Sequence, residues 1–318
     1  VGDYTLVPRP SKILSRWEEC YPNFRERERL GAIQRDSILC SGYPLSLVFG
    51  KISRDPKQTG NLELGRYRNL FFFARENWSC HYGQIVLIPA DIVGFRDTKA
   101  LTRSKTDEND LMQLLEIARV WGWPILTNVA KSGASVPERV HYQIYPPRSD
   151  NGPNFPLIER SLGSRTNLAN FQRERFSVYE LPLHPCPALL VEATGTVSDA
   201  CVKTVCRISE FYLHGYGYNL FIRSRSKNHT NTTQLVFFPR NRTSDAGEYP
   251  AEEICTVSSD WKWGAPELCG CFHLRENGRE IAELLKRCPK VIDISMKSVG
   301  GDMRAIREIV RWSKCFRD

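Results

Sequence analysis

The feature that most constrains the fold of this chain is a pattern of short apolar runs and single amphipathic helices that occurs twice. Runs rich in β-branched and aromatic residues favour strands, and apolar residues at helical spacing predict helices. The first round comprises strand-like runs at 45–49, 70–74, 84–89, 125–129 and 140–145 with a helix at 107–120; the second comprises strand-like runs at 176–181, 189–192, 218–224 and 234–239 with a helix at 200–214. Strands that alternate with single helices predict an α+β protein of two similar halves, each a mostly antiparallel sheet with a packed helix.

The segments outside these rounds set the expected domain boundaries. A charged stretch at 24–30 predicts a surface helix, residues 146–170 are rich in Pro, Gly and Ser and predict a long connection, and the tail at 277–316 is helical in pattern with a break at Pro289. The expected organisation is an N-terminal extension (1–59), a first half (60–150), a linker (151–175) and a second half with C-terminal helices (176–318).

Charge and cysteine usage narrow the function. A formal net charge of +8 suits a phosphate-rich ligand such as a nucleotide. No nucleic acid partner is expected, because the sequence has no zinc-finger spacing, aromatic RNA-binding octamer or basic tail. The 11 cysteines are scattered, which indicates reduced thiols rather than a disulfide framework. With no apolar run of membrane-spanning length and no signal-peptide pattern, we expect a cytoplasmic protein without a membrane partner.

The stretch 131–147, KSGASVPERVHYQIYPP, suggests a site. Its small residues from Ser132 to Ser135 can bring backbone N–H groups close to an anion. In the following strand, period 2 puts Val140, Tyr142 and Ile144 on one face and His141, Gln143 and Tyr145 on the other. Neutral imidazole can attack phosphorus, so His141 is the candidate nucleophile and Gln143 the candidate donor to a phosphoryl oxygen. A strand histidine satisfied by a neighbour is the alternative.

Other polar residues have weaker signals. Lys131 and Arg139 can clamp phosphate oxygens, although such residues are as often solvated. The run Cys269-Gly-Cys271-Phe-His273 lacks tetrahedral zinc spacing and an obvious fourth ligand, so no metal site is predicted.

Four stretches resemble the galactose-1-phosphate uridylyltransferase-like branch of the histidine triad (HIT) superfamily, and within it the diadenosine tetraphosphate phosphorylases (ATP adenylyltransferases) and GDP-hexose phosphorylases. The small-residue loop with His141-Tyr-Gln is similar to the family's loop and His-x-His-x-Gln motif. The other stretches are YGQIVLIP at 82–89, HPCPAL at 184–189 and the pair YNLFIR at 218–223 and LVFFPR at 235–240. The family's first histidine is replaced by Arg139, and an extra residue follows Pro137.

The resemblance implies two HIT-like halves and a nucleotidyltransferase of phosphorylase type. Its substrate would be a nucleoside diphosphate sugar or a dinucleoside polyphosphate, cleaved through a covalent intermediate on His141 that inorganic phosphate or a sugar phosphate opens. The covalent step needs no cofactor; a role for Mg²⁺ with the nucleotide and a homodimer are left open. The expected nucleotide- and phosphate-binding residues are Lys131, Ser132, Gly133, Ala134, Ser135, Arg139, Asn77, Asn219 and Arg223.

Two alternatives remain. Because Arg139 replaces a family histidine, the chain could be a protein that binds nucleotides without turnover. It could also be a hydrolase, in which water instead of phosphate opens the covalent intermediate. The base, the sugar and the acceptor cannot be read from this sequence.

Overall fold

A computed structural model of the protein describes residues 5–8, 62–74, 85–89, 106–129, 132, 140–145, 155–213, 217–227, 230–240, 263–274, 296–297 and 300–315. The predicted helix at 24–30, the predicted strand at 45–49 and the helical pattern at 277–295 lie outside these residues. The strands are β1 (Thr5–Pro8), β2 (Leu62–Tyr67), β3 (Leu70–Ala74), β4 (Ile85–Pro89), β5 (Ile125–Asn128), β6 (Tyr142–Ile144), β7 (Thr166–Phe171), β8 (Phe176–Glu180), β9 (Leu189–Thr194), β10 (Tyr218–Lys227), β11 (Thr230–Pro239) and β12 (Cys271–Leu274). The helices are α1 (Glu108–Trp121), α2 (Pro156–Leu162), α3 (Asp199–Leu213), α4 (Ala265–Leu268) and α5 (Met303–Cys315).

Ten of these strands form one antiparallel sheet in the order β2-β3-β4-β6-β5-β10-β11-β9-β8-β7, and β1 pairs with β12 in a separate parallel ladder. The protein is α+β, as predicted. Outward from the central β5–β10 contact, each side of the sheet shows a hairpin-like pair and then a three-strand meander. The division into two similar halves and its boundaries stay a prediction.

The sheet separates two cores. Helices α1, α3 and α5 pack on one face, which we call the helix face, over a cluster that includes Leu114, Val205 and Ile306. The opposite face, which we call the site face, carries Leu126 and Phe221 in a second cluster with residues of α2 and α4. Because both faces are covered near the centre, β5, β10 and β11 read as apolar runs rather than strict alternation.

Helix α1 matches its prediction because both of its ends are encoded locally. The side chain of Asp107 accepts a hydrogen bond from the backbone N–H of Asp110 at 2.8 Å, which caps the N-terminus. Gly122 ends the helix in the left-handed conformation, with φ of 67°. In the described part of the chain, no helix has both the length and the apolar content needed to cross a bilayer.

The prediction of an irregular connection over 146–170 is wrong for its second part. Residues 156–162 form α2 and residues 166–171 form β7. Pro156 stands at the start of α2, where its fixed φ favours the first helical turn instead of a loop. Strand β7 is an edge strand in which half of the residues, Thr166, Asn167 and Asn170, are polar and exposed, so its sequence has only a weak apolar signal.

Candidate functional site

The strand that carries the predicted chemistry lies near the middle of the sheet. Strand β6 pairs with β4 on one side and β5 on the other. Val140, Tyr142 and Ile144 belong to the helix-face core, whereas Tyr145 belongs to the core on the site face. The predicted alternation is therefore confirmed, and it puts Gln143 and the preceding His141 on the site face. Both are largely buried, with 5% of the surface of His141 and 9% of the surface of Gln143 exposed.

Two hydrogen bonds fix the backbone on either side of His141. The hydroxyl of Thr127 on β5 donates to the carbonyl oxygen of His141 at 3.2 Å. On the helix face, the hydroxyl of Tyr142 donates to the carboxylate of Asp110 in the first turn of α1 at 2.5 Å, and both groups are fully buried. Exclusion of water from both groups strengthens this hydrogen bond. The histidine backbone is thus held between its neighbouring strand and a helix N-terminus.

Gln143 has a defined orientation. The hydroxyl of Tyr145, two residues along the same face, donates to Oε1 of Gln143 at 2.7 Å. Among the described residues, the Nε2 amide of Gln143 has no acceptor. An amide whose oxygen is already engaged presents its N–H groups elsewhere, so Gln143 can donate to a ligand.

Asn219, a predicted nucleotide-binding residue, is a buried strand residue that connects three segments. Its Nδ2 donates to Oδ1 of Asn128 at 2.6 Å and to the carbonyl oxygen of Ser132 at 2.9 Å, and its Oδ1 accepts from Nη1 of Arg240 at 2.7 Å. Asn128 and Asn219 are direct partners across β5 and β10, and the β5–β6 register continued by one residue brings His141 beside Asn128. Asn219 therefore anchors the start of the small-residue loop two strands from His141.

Ser132 is the part of that loop that the structure describes. Its hydroxyl donates to the carbonyl oxygen of Val129 at 2.7 Å, and the residue is fully buried. The other predicted loop and phosphate-binding residues lie outside the described residues: Lys131, Gly133, Ala134, Ser135, Arg139 and Asn77.

Arg223, predicted to contact phosphate, is already paired. Its Nη1 forms an ion pair with Glu159 on α2, which Arg225 also contacts, and its Nε donates to Oε1 of Gln234 at 2.8 Å. Burial lowers the pKa of Arg223, and the Glu159 carboxylate partly offsets this. An anion that approached Nη1 of Arg223 would have to compete with Glu159, whereas Nη2 is buried and has no hydrogen-bond partner among the described residues.

Asn128 and Arg240 belong to this arrangement but escape selection from the sequence. Arg240 also donates to the carbonyl oxygen of Trp263 at 2.8 Å, and Oδ1 of Asn128 accepts from the backbone N–H of Ala265 at 2.7 Å. The available signals were an asparagine at a strand end and an arginine directly after an apolar strand. Neither signal indicates burial, since both residue types are usually exposed.

The cysteine run near the C-terminus is part of the site-face core. Cys269 and Cys271 are buried free thiols. Burial raises the pKa of Cys269 well above its ordinary value, so the thiol form is favoured. Within the described residues, no group of three or more His, Cys, Asp or Glu side chains is placed to hold a metal ion.

Comparison with known proteins gives little further information. No family model and no curated protein matches the sequence. Two solved structures resemble the fold at 12% and 10% sequence identity, a uridylyltransferase and a uridylyltransferase mutant, with TM-scores of 0.32 and 0.33. Each match covers 69% of this chain and 78% or 81% of the other chain. Matches with TM-scores this low show nothing about the activity of this chain.

Proposed function

We propose that the protein is a nucleotidyltransferase of phosphorylase type, with His141 as the nucleophile. The observation that supports the proposal is the alternation along a central strand, which directs His141 and Gln143 to the site face, two strands from the anchored start of the small-residue loop. The substrate is a nucleoside diphosphate sugar or a dinucleoside polyphosphate.

The proposed reaction has two balanced steps. The lone pair of His141 Nε2 attacks the α-phosphorus, a P–N bond forms, and the P–O bond to the sugar phosphate or nucleotide leaving group breaks with its electron pair on the departing oxygen. An oxygen of inorganic phosphate or of a sugar phosphate then attacks the same phosphorus. The P–N bond breaks and its electron pair returns to the imidazole, which restores His141.

The surroundings of His141 suit this chemistry. Gln143 Nε2 donates to a non-bridging phosphoryl oxygen, and the Tyr145 hydroxyl on Oε1 keeps the amide in that orientation. The bonds from Thr127 to the His141 carbonyl oxygen and from Tyr142 to Asp110 limit movement of the strand. Because the nucleophile and the donor are already held in position, less conformational entropy is lost on reaching the transition state.

Radiolabel transfer tests the covalent step. The protein is incubated with nucleotides and sugar nucleotides labelled at the α-phosphate, each with and without inorganic phosphate. We expect label on the protein that is acid-labile and base-stable, and that unlabelled phosphate or sugar phosphate removes. His141→Ala should abolish labelling and turnover while nucleotide binding persists, and imidazole should partly restore turnover to His141→Gly.

A second buried histidine supplies the matched control. His184 has both ring nitrogens close to backbone carbonyl oxygens, those of Cys186 at 2.7 Å and Leu268 at 2.9 Å, so its role is structural. His184→Gln should lower the melting temperature yet keep labelling in the folded protein.

Unchanged turnover in His141→Ala would overturn the mechanism. Saturable nucleotide binding without label in the wild type would identify a binding protein, and label that only water removes would identify a hydrolase.

A further inference from the structure

A row of polar side chains crosses five strands on the site face. The strand register places Arg223, Gln234, Glu192, Ser177 and Asn170 side by side on β10, β11, β9, β8 and β7. Gln234 accepts from Arg223 and donates to Glu192, each at 2.8 Å, and the Ser177 hydroxyl donates to Asn170 at 3.1 Å. Such mutual hydrogen bonds hold the side chains in fixed positions before any ligand arrives.

The outer half of this row lines a groove. Asn170, Ser177 and Glu192 border it together with Tyr179 and Thr194, and its volume is about 440 Å³. This volume is in the range of small-molecule sites, roughly 300–1,000 Å³. Four strand steps separate β6 from β9, which at about 4.8 Å per step puts the groove on the order of 19 Å from the His141 strand along the sheet. The groove is therefore distinct from the proposed catalytic site.

The groups in the groove favour hydroxyl-bearing ligands over flat aromatic ones. Nη1 of Arg165 donates to both carboxylate oxygens of Glu192 at 2.9 Å, and its guanidinium lies 4.7 Å from the centre of the Tyr179 ring. That face of Tyr179 is consequently not available to stack a base. Asn170, Ser177 and Thr194 present amide and hydroxyl groups, which can pair with the hydroxyls of a sugar.

A cation at the rim indicates an anionic group on the ligand. Arg175 lines the groove, is exposed, and has no side-chain partner among the described residues. Its φ of 55° lies in the left-handed region, which is unfavourable for a residue with a side chain. Its carbonyl oxygen accepts from the backbone N–H of Thr194 at 2.9 Å, which holds the turn. The turn at 172–175, closed by a hydrogen bond from the Arg175 N–H to the carbonyl oxygen of Gln172 at 3.2 Å, accounts for this φ, so the feature that bears on a ligand is the exposed guanidinium at the groove.

We propose that this groove binds a monosaccharide that carries one phosphate group. The sugar hydroxyls pair with Asn170, Ser177 and the outer lone pairs of Glu192, and the phosphate pairs with the guanidinium of Arg175. The proposal does not depend on the activity of His141.

Calorimetric titration of the full-length protein tests the site, with hexose monophosphates, the parent hexoses and inorganic phosphate as probes. We expect saturable binding of at least one hexose monophosphate, and affinity at least about tenfold lower for its parent hexose and for inorganic phosphate.

Arg175→Gly removes the guanidinium and also relieves the backbone strain, so it should weaken binding about tenfold or more while leaving thermal stability unchanged or raised. Asn170→Ala should weaken binding without affecting the fold.

Arg173→Ala is the matched control, because it removes the same charge from an exposed position in the same turn and lies outside the groove. It should bind within about twofold of the wild type, since exposed charges away from the ligand contribute little. Absence of saturable binding, equal affinity for inorganic phosphate alone, or equal losses in Arg173→Ala and Arg175→Gly would each overturn the proposal. Binding that His141→Ala abolishes and Arg175→Gly preserves would place the ligand at the other site and would also overturn it.

Discussion

At the scale of single residues, the side chain of Gln143 combines an occupied oxygen with an amide nitrogen that has no acceptor in the described part of the chain. Gln143→Ala should lower kcat by on the order of a hundredfold to a thousandfold, because a preorganised donor to the phosphoryl oxygen is lost. Tyr145→Phe removes only the hydrogen bond that orients the amide, and we expect a loss of about tenfold. Single-turnover labelling rates with KM measured alongside would separate the two effects. Equal rates in Gln143→Ala and the wild type would contradict the assigned role.

The buried bond between Tyr142 and Asp110 gives a second prediction, on stability. Tyr142→Phe leaves the Asp110 carboxylate without this donor in a fully buried position. The free energy of unfolding should fall by about 1–3 kcal/mol, the usual cost of an unsatisfied buried group. Urea unfolding measures the loss, and a cycle with Asp110→Asn gives the coupling between the two residues. Additive losses in the double variant would show that the bond contributes nothing of its own.

The sequence predicted directions of side chains better than their partners. Period 2 in the stretch around His141 assigned Tyr142 and Gln143 to opposite faces, because alternation follows from strand geometry alone. It could not show that Asn219 contacts Asn128 and Arg240, since those contacts depend on the register between distant strands. The family resemblance points to Arg223 as a phosphate ligand, but no local pattern shows that its partner Glu159 lies on a helix against the same strand.

At the scale of elements, helix α2 is tied to the β10–β11 hairpin through one carboxylate. Burial alone would raise the pKa of Glu159, but hydrogen bonds and charge from Arg223 and Arg225 outweigh it and hold the pKa below its ordinary value of 4.5. Since the folded-state pKa is lowered, the ionised carboxylate contributes stability that is present above the unfolded-state value. This contribution is lost as the pH falls through the lowered pKa.

Glu159→Gln should therefore flatten the acid side of the stability profile. The urea midpoint of the wild type should fall more steeply below about pH 4.5 than that of the variant. At neutral pH the variant should be less stable, because Arg223 stays buried without its counter-ion. Glu308→Gln, at an exposed position on α5, is the control and should follow the wild type. Parallel profiles for Glu159→Gln and the wild type would refute the linkage.

Elements with local end signals were predictable, and those without them were not. Asp107 and Gly122 mark the two ends of α1, so its predicted and observed bounds nearly coincide. The polar ends of β10 and β11 extend beyond the predicted strands because residues 225–227 pair across the hairpin with residues 230–232. Strand β7 depends on its pairing with β8, which a local pattern cannot indicate.

At the scale of the whole molecule, the α+β class followed from the sequence, whereas the single ten-stranded sheet did not. The strand order requires knowledge of which strands meet at the centre, and β5 and β10 meet although a complete meander lies between them in the chain. An apolar pattern indicates that a strand is buried, but it does not indicate which other strands or helices bury it.

The contact between β5 and β10 also predicts the order in which the strands pair during folding. The two meanders join strands that are neighbours in the chain, whereas Asn128 and Asn219 are 91 residues apart, so the β5–β10 ladder requires closure of a large loop and should form last. Pulsed hydrogen exchange during refolding should accordingly protect β3 and β8 before the β10 amides that bond to β5; simultaneous protection would contradict this order. On the ribosome, earlier residues emerge first. The surroundings of the strand that follows His141 would therefore stay incomplete until β10 had been synthesised. A nascent chain would then acquire its chemistry only after β10 has emerged from the ribosome.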